Sequence, residues 1–235
     1  MFRNWQMLLA PDIEVCGVQL PGRENRLSEP HYQHLSNLVE ELSRQIGPYL
    51  NMPFVFFGHS MGALIGFALA REIRARYDRL PVHLFVSARP APHLPPKRPP
   101  IYHLPDEKFV EEIRRLNGTS NEVLKNRELM ELLLPTLRAD MTICETYEYT
   151  ADEPLNCPIT AFGGRRDEYV SAVDLDAWRD HTCAEFRREM LPGDHFFLKN
   201  TERKLADAVA QAVQGRQDLQ CFDEGTAERA VGPGN

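Results

Sequence analysis

The sequence lacks the marks of a cross-linked or metal-held chain. Its five cysteines, Cys16, Cys144, Cys157, Cys183 and Cys221, are odd in number, scattered and without any CxxC pair. That argues against a disulfide framework or a zinc site and for reduced thiols in the cytoplasm. No His or carboxylate pair falls at ligand spacing, so neither metal nor cofactor is expected. No apolar run approaches the roughly 20 residues of a membrane span, and the N-terminus lacks the apolar core of a signal peptide. Positive charge is in deficit: the formal net charge of −7 leaves nothing basic to track a nucleic-acid groove. There is no internal repeat. A cytoplasmic monomer with no nucleic-acid or membrane partner is the expectation.

What is present is an alternation of apolar runs and helical patterns. The 235 residues, 43% hydrophobic and 26% charged, suit one α/β domain with a sizeable core. Residues 13–20 (IEVCGVQL) read as a strand ending at Pro21-Gly22, and 34–50 carries a helical period. The runs 54–57 and 82–86 read as strands buried on both faces of a parallel sheet, with a helix over 61–76 between them. Seven prolines between Pro90 and Pro105 then break the alternation. Helical patterns follow over 106–116 and roughly 122–134, before a strand at 159–163, a helix near 173–181, a strand at 186–191 and a last helix over 201–213. The expected organisation is one domain over 1–213 with a helical cap inserted at about 96–148. The polar, glycine-rich tail 214–235 is expected to be disordered.

The run FVFFGHSMGALIGFALA places Gly58-His59-Ser60-Met61-Gly62 between a strand and a helix, the context that gives G-x-S-x-G meaning. A serine on so sharp a turn has strained dihedrals, and glycines at 58 and 62 are expected to relieve crowding. The helix start aims N–H groups at the serine, which favours developing negative charge. The bland alternative is a chance serine in a turn. His59, adjacent to Ser60, reads as structural.

A serine hydroxyl needs a base, and the base needs an orienting acid. In α/β-hydrolases the chain order is Ser, acid, His. Only His181 and His195 follow the later strands. His195 sits in Pro192-Gly193-Asp194-His195 just past 186–191, whereas His181 falls inside a helical pattern, so His195 is the candidate base. Asp167 follows ITAFGG at the place for the acid; paired with Arg165 or Arg166 it would be merely a solvated loop aspartate. Glu168, Asp174, Asp176 and Asp140 are its rivals, and Asp194 stands too close to His195 in the chain.

Three further stretches, VQLPGRENRLSEP (18–30), LPTLRADMTICETYEY (134–149) and LPGDHFFL (191–198), accompany the elbow. With them the chain, from residue 1 to about 212, resembles the type II thioesterases of polyketide and nonribosomal peptide synthesis. The resemblance implies an α/β-hydrolase fold: a mostly parallel sheet flanked by helices, with a helical lid. It makes Ser60 the nucleophile, Asp167 the acid and His195 the base, with the Met61 backbone N–H as one oxyanion donor. It implies hydrolysis of acyl groups from the phosphopantetheine thiols of acyl or peptidyl carrier proteins, the partners expected here. Neighbouring readings are a medium-chain fatty acyl-carrier hydrolase and a general carboxylesterase. The family opens with a further strand and an F-P-x-A-G-G-like loop that supplies the second oxyanion donor, so truncation at the N-terminus is expected, and with it the reading of an inactive carrier-binding relic. Arg71, Arg74, Arg76, Arg79, Lys97 and Arg98 could face an acidic carrier or simply favour a helix end.

Overall fold

A computed structural model describes residues 2–9, 11–116 and 118–227. Four strands form its sheet: β1 (Val55–His59), β2 (His83–Ser87), β3 (Ile159–Gly164) and β4 (Phe186–Leu191). They lie side by side in chain order and all run parallel. Parallel neighbours need crossovers, and these lay helices on both faces, which is why the strands read as continuous apolar runs.

The period of two divides the strand residues between two cores. Leu84, Val86, Ile159 and Ala161 pack with Ala63, Phe67 and Ala70 of helix α3 (Met61–Tyr77) and with Leu175 and Trp178. Phe85 and Phe162 point the other way with Phe57, the three rings stacked at centroid separations of 6.2–6.3 Å. They meet Trp5 and Leu9 of helix α1 (Trp5–Leu9) and Leu205, Ala206 and Val209 of the C-terminal helix. Helix α2 (Leu35–Ile46) lies outside α3, with Leu38 and Leu42 against Leu64 and Ile73. Each fully buried Leu or Ile here contributes about 1.5–3 kcal/mol relative to exposure.

Between β2 and β3 stand α4 (Asp106–Arg115), α5 (Asn121–Lys125) and α6 (Arg127–Glu145). Phe109, Ile113, Leu124 and Met130 make a separate cluster among them, so these cap helices bury their apolar faces mainly on one another. Later come α7 (Ala172–Asp176), a 3-10 turn over Ala177–His181, and α8 (Leu198–Ala227).

Three expectations are corrected. Residues 13–20 form no strand. Their alternation of β-formers is real, but Gln6 of α1 takes up the backbone there, its amide nitrogen donating to the Ile13 carbonyl at 3.1 Å and its oxygen accepting the Val15 N–H at 2.8 Å. The helix expected to end near 134 instead runs through Pro135 to Glu145. Proline costs one helical hydrogen bond, yet tertiary bonds hold the second half: Thr136 donates to the Gly22 carbonyl at 2.8 Å, Arg138 to the Leu104 carbonyl at 2.9 Å, and Asp140 pairs with Arg23. The last helix, expected over 201–213, is preceded by a helical turn from Leu198, with a kink at Thr201 (φ −127°, ψ 18°), and it continues to Ala227, so the expected disorder from 214 is replaced by helix that far. The stretch AVAQAVQGRQDLQ is rich in good helix formers, which carry it across Gly215. The rest of the expected tail, 228–235, lies outside the described residues. Among the described residues no helix is long and apolar enough to cross a membrane.

Candidate active site

The site begins where β1 hands over to α3. His59 ends the strand and Met61 opens the helix, so Ser60 alone turns the chain, with φ 54° and ψ −114°. Such a conformation costs a non-glycine residue about 1–3 kcal/mol and persists only when its surroundings impose it. The Ser60 N–H donates to the Ser87 carbonyl at 2.7 Å, and the Ser60 carbonyl accepts from the Ala63 N–H at 3.0 Å. A Cβ on Gly58 would collide with the Gly62 carbonyl and the Ala63 nitrogen, whereas a Cβ on Gly62 would meet nothing within 4 Å. The turn therefore requires glycine before the serine; crowding at Gly62, expected from sequence, is absent.

Ser60 Oγ lies 3.1 Å from His195 Nε2, and His195 Nδ1 lies 2.9 Å from Asp167 Oδ2. The Asp167 side chain is 0% exposed and that of His195 14%, so bulk water screens the pair little. The other Asp167 oxygen accepts backbone N–H groups from Tyr169 at 2.8 Å and Val170 at 3.2 Å. Asp167 is thus no solvated loop residue paired with arginine. Two glycines bring the loops after β3 and β4 together. A Cβ on Gly164 would strike the Asp194 carbonyl, and Gly193, at φ +129°, lies against Phe197.

Asp174, Asp176, Asp140 and Asp194 are occupied elsewhere. Asp174 closes a capping box with Ser171 and pairs with Lys97 at 2.5 Å. Asp176 pairs with Arg188 and Asp140 with Arg23. Asp194 Oδ1 accepts the Phe196 N–H at 2.9 Å. The rival histidines are likewise placed. His59 Nδ1 bonds Ser87 Oγ at 2.9 Å, its ring 5.4 Å from that of His195. Burial, reinforced by His195, pulls its pKa down to about 4, so it is neutral near pH 7. Its Nε2 is buried without a hydrogen-bond partner. His181 is buried between Phe67 and Trp178, with Nε2 2.7 Å from His93 Nδ1; burial and then His93 bring it too to about 4.

A hydroxyl bonded to an imidazole that is bonded in turn to a shielded carboxylate is the arrangement nucleophilic acyl transfer uses. Met61 is the first residue of α3, so its N–H belongs to the donors a helix start leaves without an intrahelical acceptor. Sequence reasoning missed Tyr169, which touches both Asp167 and His195; only its place two residues past the acid hints at this. The basic residues considered for a partner surface are largely engaged within the chain. Arg71 and Arg74 share Asp152, Arg76 reaches Glu72, Lys97 pairs with Asp174, and Arg98 lies over Tyr169. A cleft of about 400 Å³ opens between α6 and the 31–33 segment, lined by His31, Gln33, Tyr102, Pro135 and Arg138 among others; Ser60 and His195 do not line it. Among the described residues no group of His, Cys, Asp and Glu could hold a metal ion.

Residues 1–216 match the family model described as a thioesterase domain. The gramicidin S biosynthesis protein GrsT of Aneurinibacillus migulanus is 48% identical over 213 residues, which cover 91% of this chain and 83% of that protein. A Brevibacillus parabrevis protein named linear gramicidin dehydrogenase LgrE is also 48% identical, over 217 residues, 91% of this chain and 82% of its own. Among solved structures, the RedJ thioesterase from the prodiginine pathway of Streptomyces coelicolor superposes with a TM-score of 0.83 at 37% identity, covering 90% of this chain and 84% of that one.

Proposed function

This chain belongs to the thioesterase family, and on that premise we propose that it hydrolyses acyl groups from the phosphopantetheine thiols of carrier proteins. The setting proposed is nonribosomal peptide or polyketide synthesis, where such hydrolysis clears stalled or wrongly primed chains. The observation that carries this is the hydrogen-bonded series Ser60, His195, Asp167 at the strained turn between β1 and α3. The names of the gramicidin and prodiginine relatives support the pathway setting.

In this reading Ser60 Oγ attacks the thioester carbonyl as His195 Nε2 takes its proton. Asp167, already bonded at Nδ1, holds the ring in the tautomer that leaves Nε2 free to accept and stabilises the imidazolium that forms. The oxyanion faces the start of α3, where the Met61 N–H donates to it; one such donor is typically worth about 10²–10³ in turnover. Collapse breaks the C–S bond, and His195 returns the proton to the pantetheine sulfur. Water then enters, gives a proton to His195 and attacks the acyl-serine; as the ester C–O bond breaks, His195 passes that proton to Ser60 Oγ, and the acid leaves. Every step uses the chain's own residues and the substrate's pantetheine, so the reaction calls for no cofactor. Helices α4 to α6 act as a lid contributing to the acyl channel, and a reducing cytoplasm suits the exposed thiols of Cys16 and Cys183.

The test is a substrate series of acetyl-, aminoacyl- and medium-chain acyl-carrier proteins, followed by thiol release. An editing enzyme prefers short or aminoacyl groups. A steep preference for medium chains would instead make the protein a fatty acyl hydrolase, faster turnover of oxygen esters an esterase, and binding of carrier without turnover a relic.

A further inference from the structure

Tyr169 joins three parts of the molecule. Its backbone N–H donates to Asp167 Oδ1 at 2.8 Å, which leaves Oδ2 to His195. Its ring meets the His195 ring edge-on, with centroids 5.8 Å apart. Its hydroxyl donates to the carbonyl of Arg115, the last residue of α4, at 2.9 Å. Arg98, on the proline-rich approach to the cap, lies over the same ring with its guanidinium carbon 4.1 Å from the centroid.

These contacts matter because the two sides of the cap are held differently. Helix α6 is pinned to the body through Asp140 and Arg23, through Thr136 with His31 and the Gly22 carbonyl, and through Arg89 to the Cys144 carbonyl. The α4 end rests on the two aromatic residues that flank His195. Tyr169 holds Arg115, and the Phe196 ring, 5.1 Å from that of His195, lies so near Gly118 that a Cβ there would stand 2.7 Å from it. The cap core is its own cluster, so lifting α4 parts Phe109 and Ile113 from Leu124 and Met130 and breaks the Asp106–Arg138 pair, while the core of the sheet stays closed.

We propose that Tyr169 is a positioning residue that couples seating of the cap to the Asp167–His195 pair. With α4 seated, the hydroxyl bond keeps the Tyr169 ring against His195 and keeps its loop in the form in which Asp167 accepts from it. With α4 raised, the tether is gone and the ring is free to leave His195. A hydrogen bond of this kind moves a two-state equilibrium by about two- to tenfold, enough to shift cap occupancy without abolishing closure. Long acyl chains, which gain binding from the cap's apolar side chains, depend on this bond more than an acetyl group does.

The coupling rests on the thioesterase reading for its kinetic readout, and a second readout needs no turnover. Under native conditions trypsin cleaves after Arg114 or Arg115 when α4 lifts, and Tyr169→Phe is expected to speed that cleavage about two- to tenfold. Kinetically, Tyr169→Phe is expected to change the dodecanoyl-to-acetyl ratio of kcat/KM by about threefold or more, chiefly through KM of the long chain. Tyr169→Ala, which removes the ring as well as the tether, is expected to lower kcat on both thioesters about tenfold, and Tyr169→Phe, whose ring has lost only its tether, about two- to threefold. Cleavage at the parental rate in Tyr169→Phe would overturn the latch. A parental kcat on both thioesters in Tyr169→Phe would overturn the coupling to His195. If the parent protein releases no thiol from either substrate, the thioesterase reading fails, and the cleavage rates still decide the latch.

Discussion

Asp167 divides its two oxygens: Oδ2 takes the His195 Nδ1 hydrogen at 2.9 Å, while Oδ1 is held by the backbone of Tyr169 and Val170. The carboxylate is therefore fixed by its own loop before it orients the histidine. Replacing it with asparagine keeps the shape and removes the charge. Asp167→Asn is expected to fold normally, as judged by its thermal midpoint, and to lose about 10³–10⁴ in kcat for thioester hydrolysis because the tautomer and the imidazolium are no longer supported.

The elbow glycines are expected to part company. Gly58→Ala drives a Cβ into the backbone of Gly62 and Ala63, which no side-chain rotation relieves, and should cost about 3 kcal/mol or more. Gly62→Ala, with open space at its Cβ and a place in the first turn of α3, should fall within about 1 kcal/mol of the parent and could stabilise the helix. Urea unfolding of the two variants checks both.

Acid should weaken the fold through two histidines. His59 and His181 titrate near 4 in the folded protein against an ordinary value of 6.5. The unfolded chain then binds more protons than the folded one between those values. The stability they contribute is complete above about pH 6.5 and is lost as pH falls toward 4, on the order of 3 kcal/mol for His59. The urea midpoint should drop steadily from pH 7 to pH 5, and less steeply in His181→Gln. A flat profile would rule out neutral burial of both rings.

The α6 anchor is also open to measurement. Arg23→Met leaves the Asp140 carboxylate, whose pKa burial already pushes up, without its cation. A loss of about 1–3 kcal/mol is expected, tempered by partial exposure of the pair. Asp140→Leu alongside Arg23→Met should recover much of it, and a double-mutant cycle in urea gives the coupling directly.

The strand–helix–strand unit around Ser60 was legible in the sequence because buried parallel strands and a small-residue helix leave a strong pattern. Asp167 and His195 were legible through chain order and their places after apolar runs. What stayed hidden depended on tertiary context. Pro135 reads as a helix end, and only the bonds of Thr136, Arg138 and Asp140 to other segments show why α6 passes through it. Residues 13–20 alternate like a strand, but alternation cannot reveal that Gln6 takes the backbone bonds a neighbouring strand would need. Gly164 looked like the end of a strand, and its lack of a side chain matters because the Asp194 carbonyl arrives from a distant loop. Tyr169 was invisible for the same reason, since its partners beyond its own loop, Arg115, His195 and Arg98, come from elsewhere in the chain.

The most direct test of the proposed chemistry compares the parent protein with Ser60→Ala on an acyl-phosphopantetheine carrier protein, following released thiol. The parent should turn over, and the variant, folded to the same thermal midpoint, should lose about 10³-fold or more. Equal rates of thiol release from the two would remove Ser60, and with it the proposed mechanism.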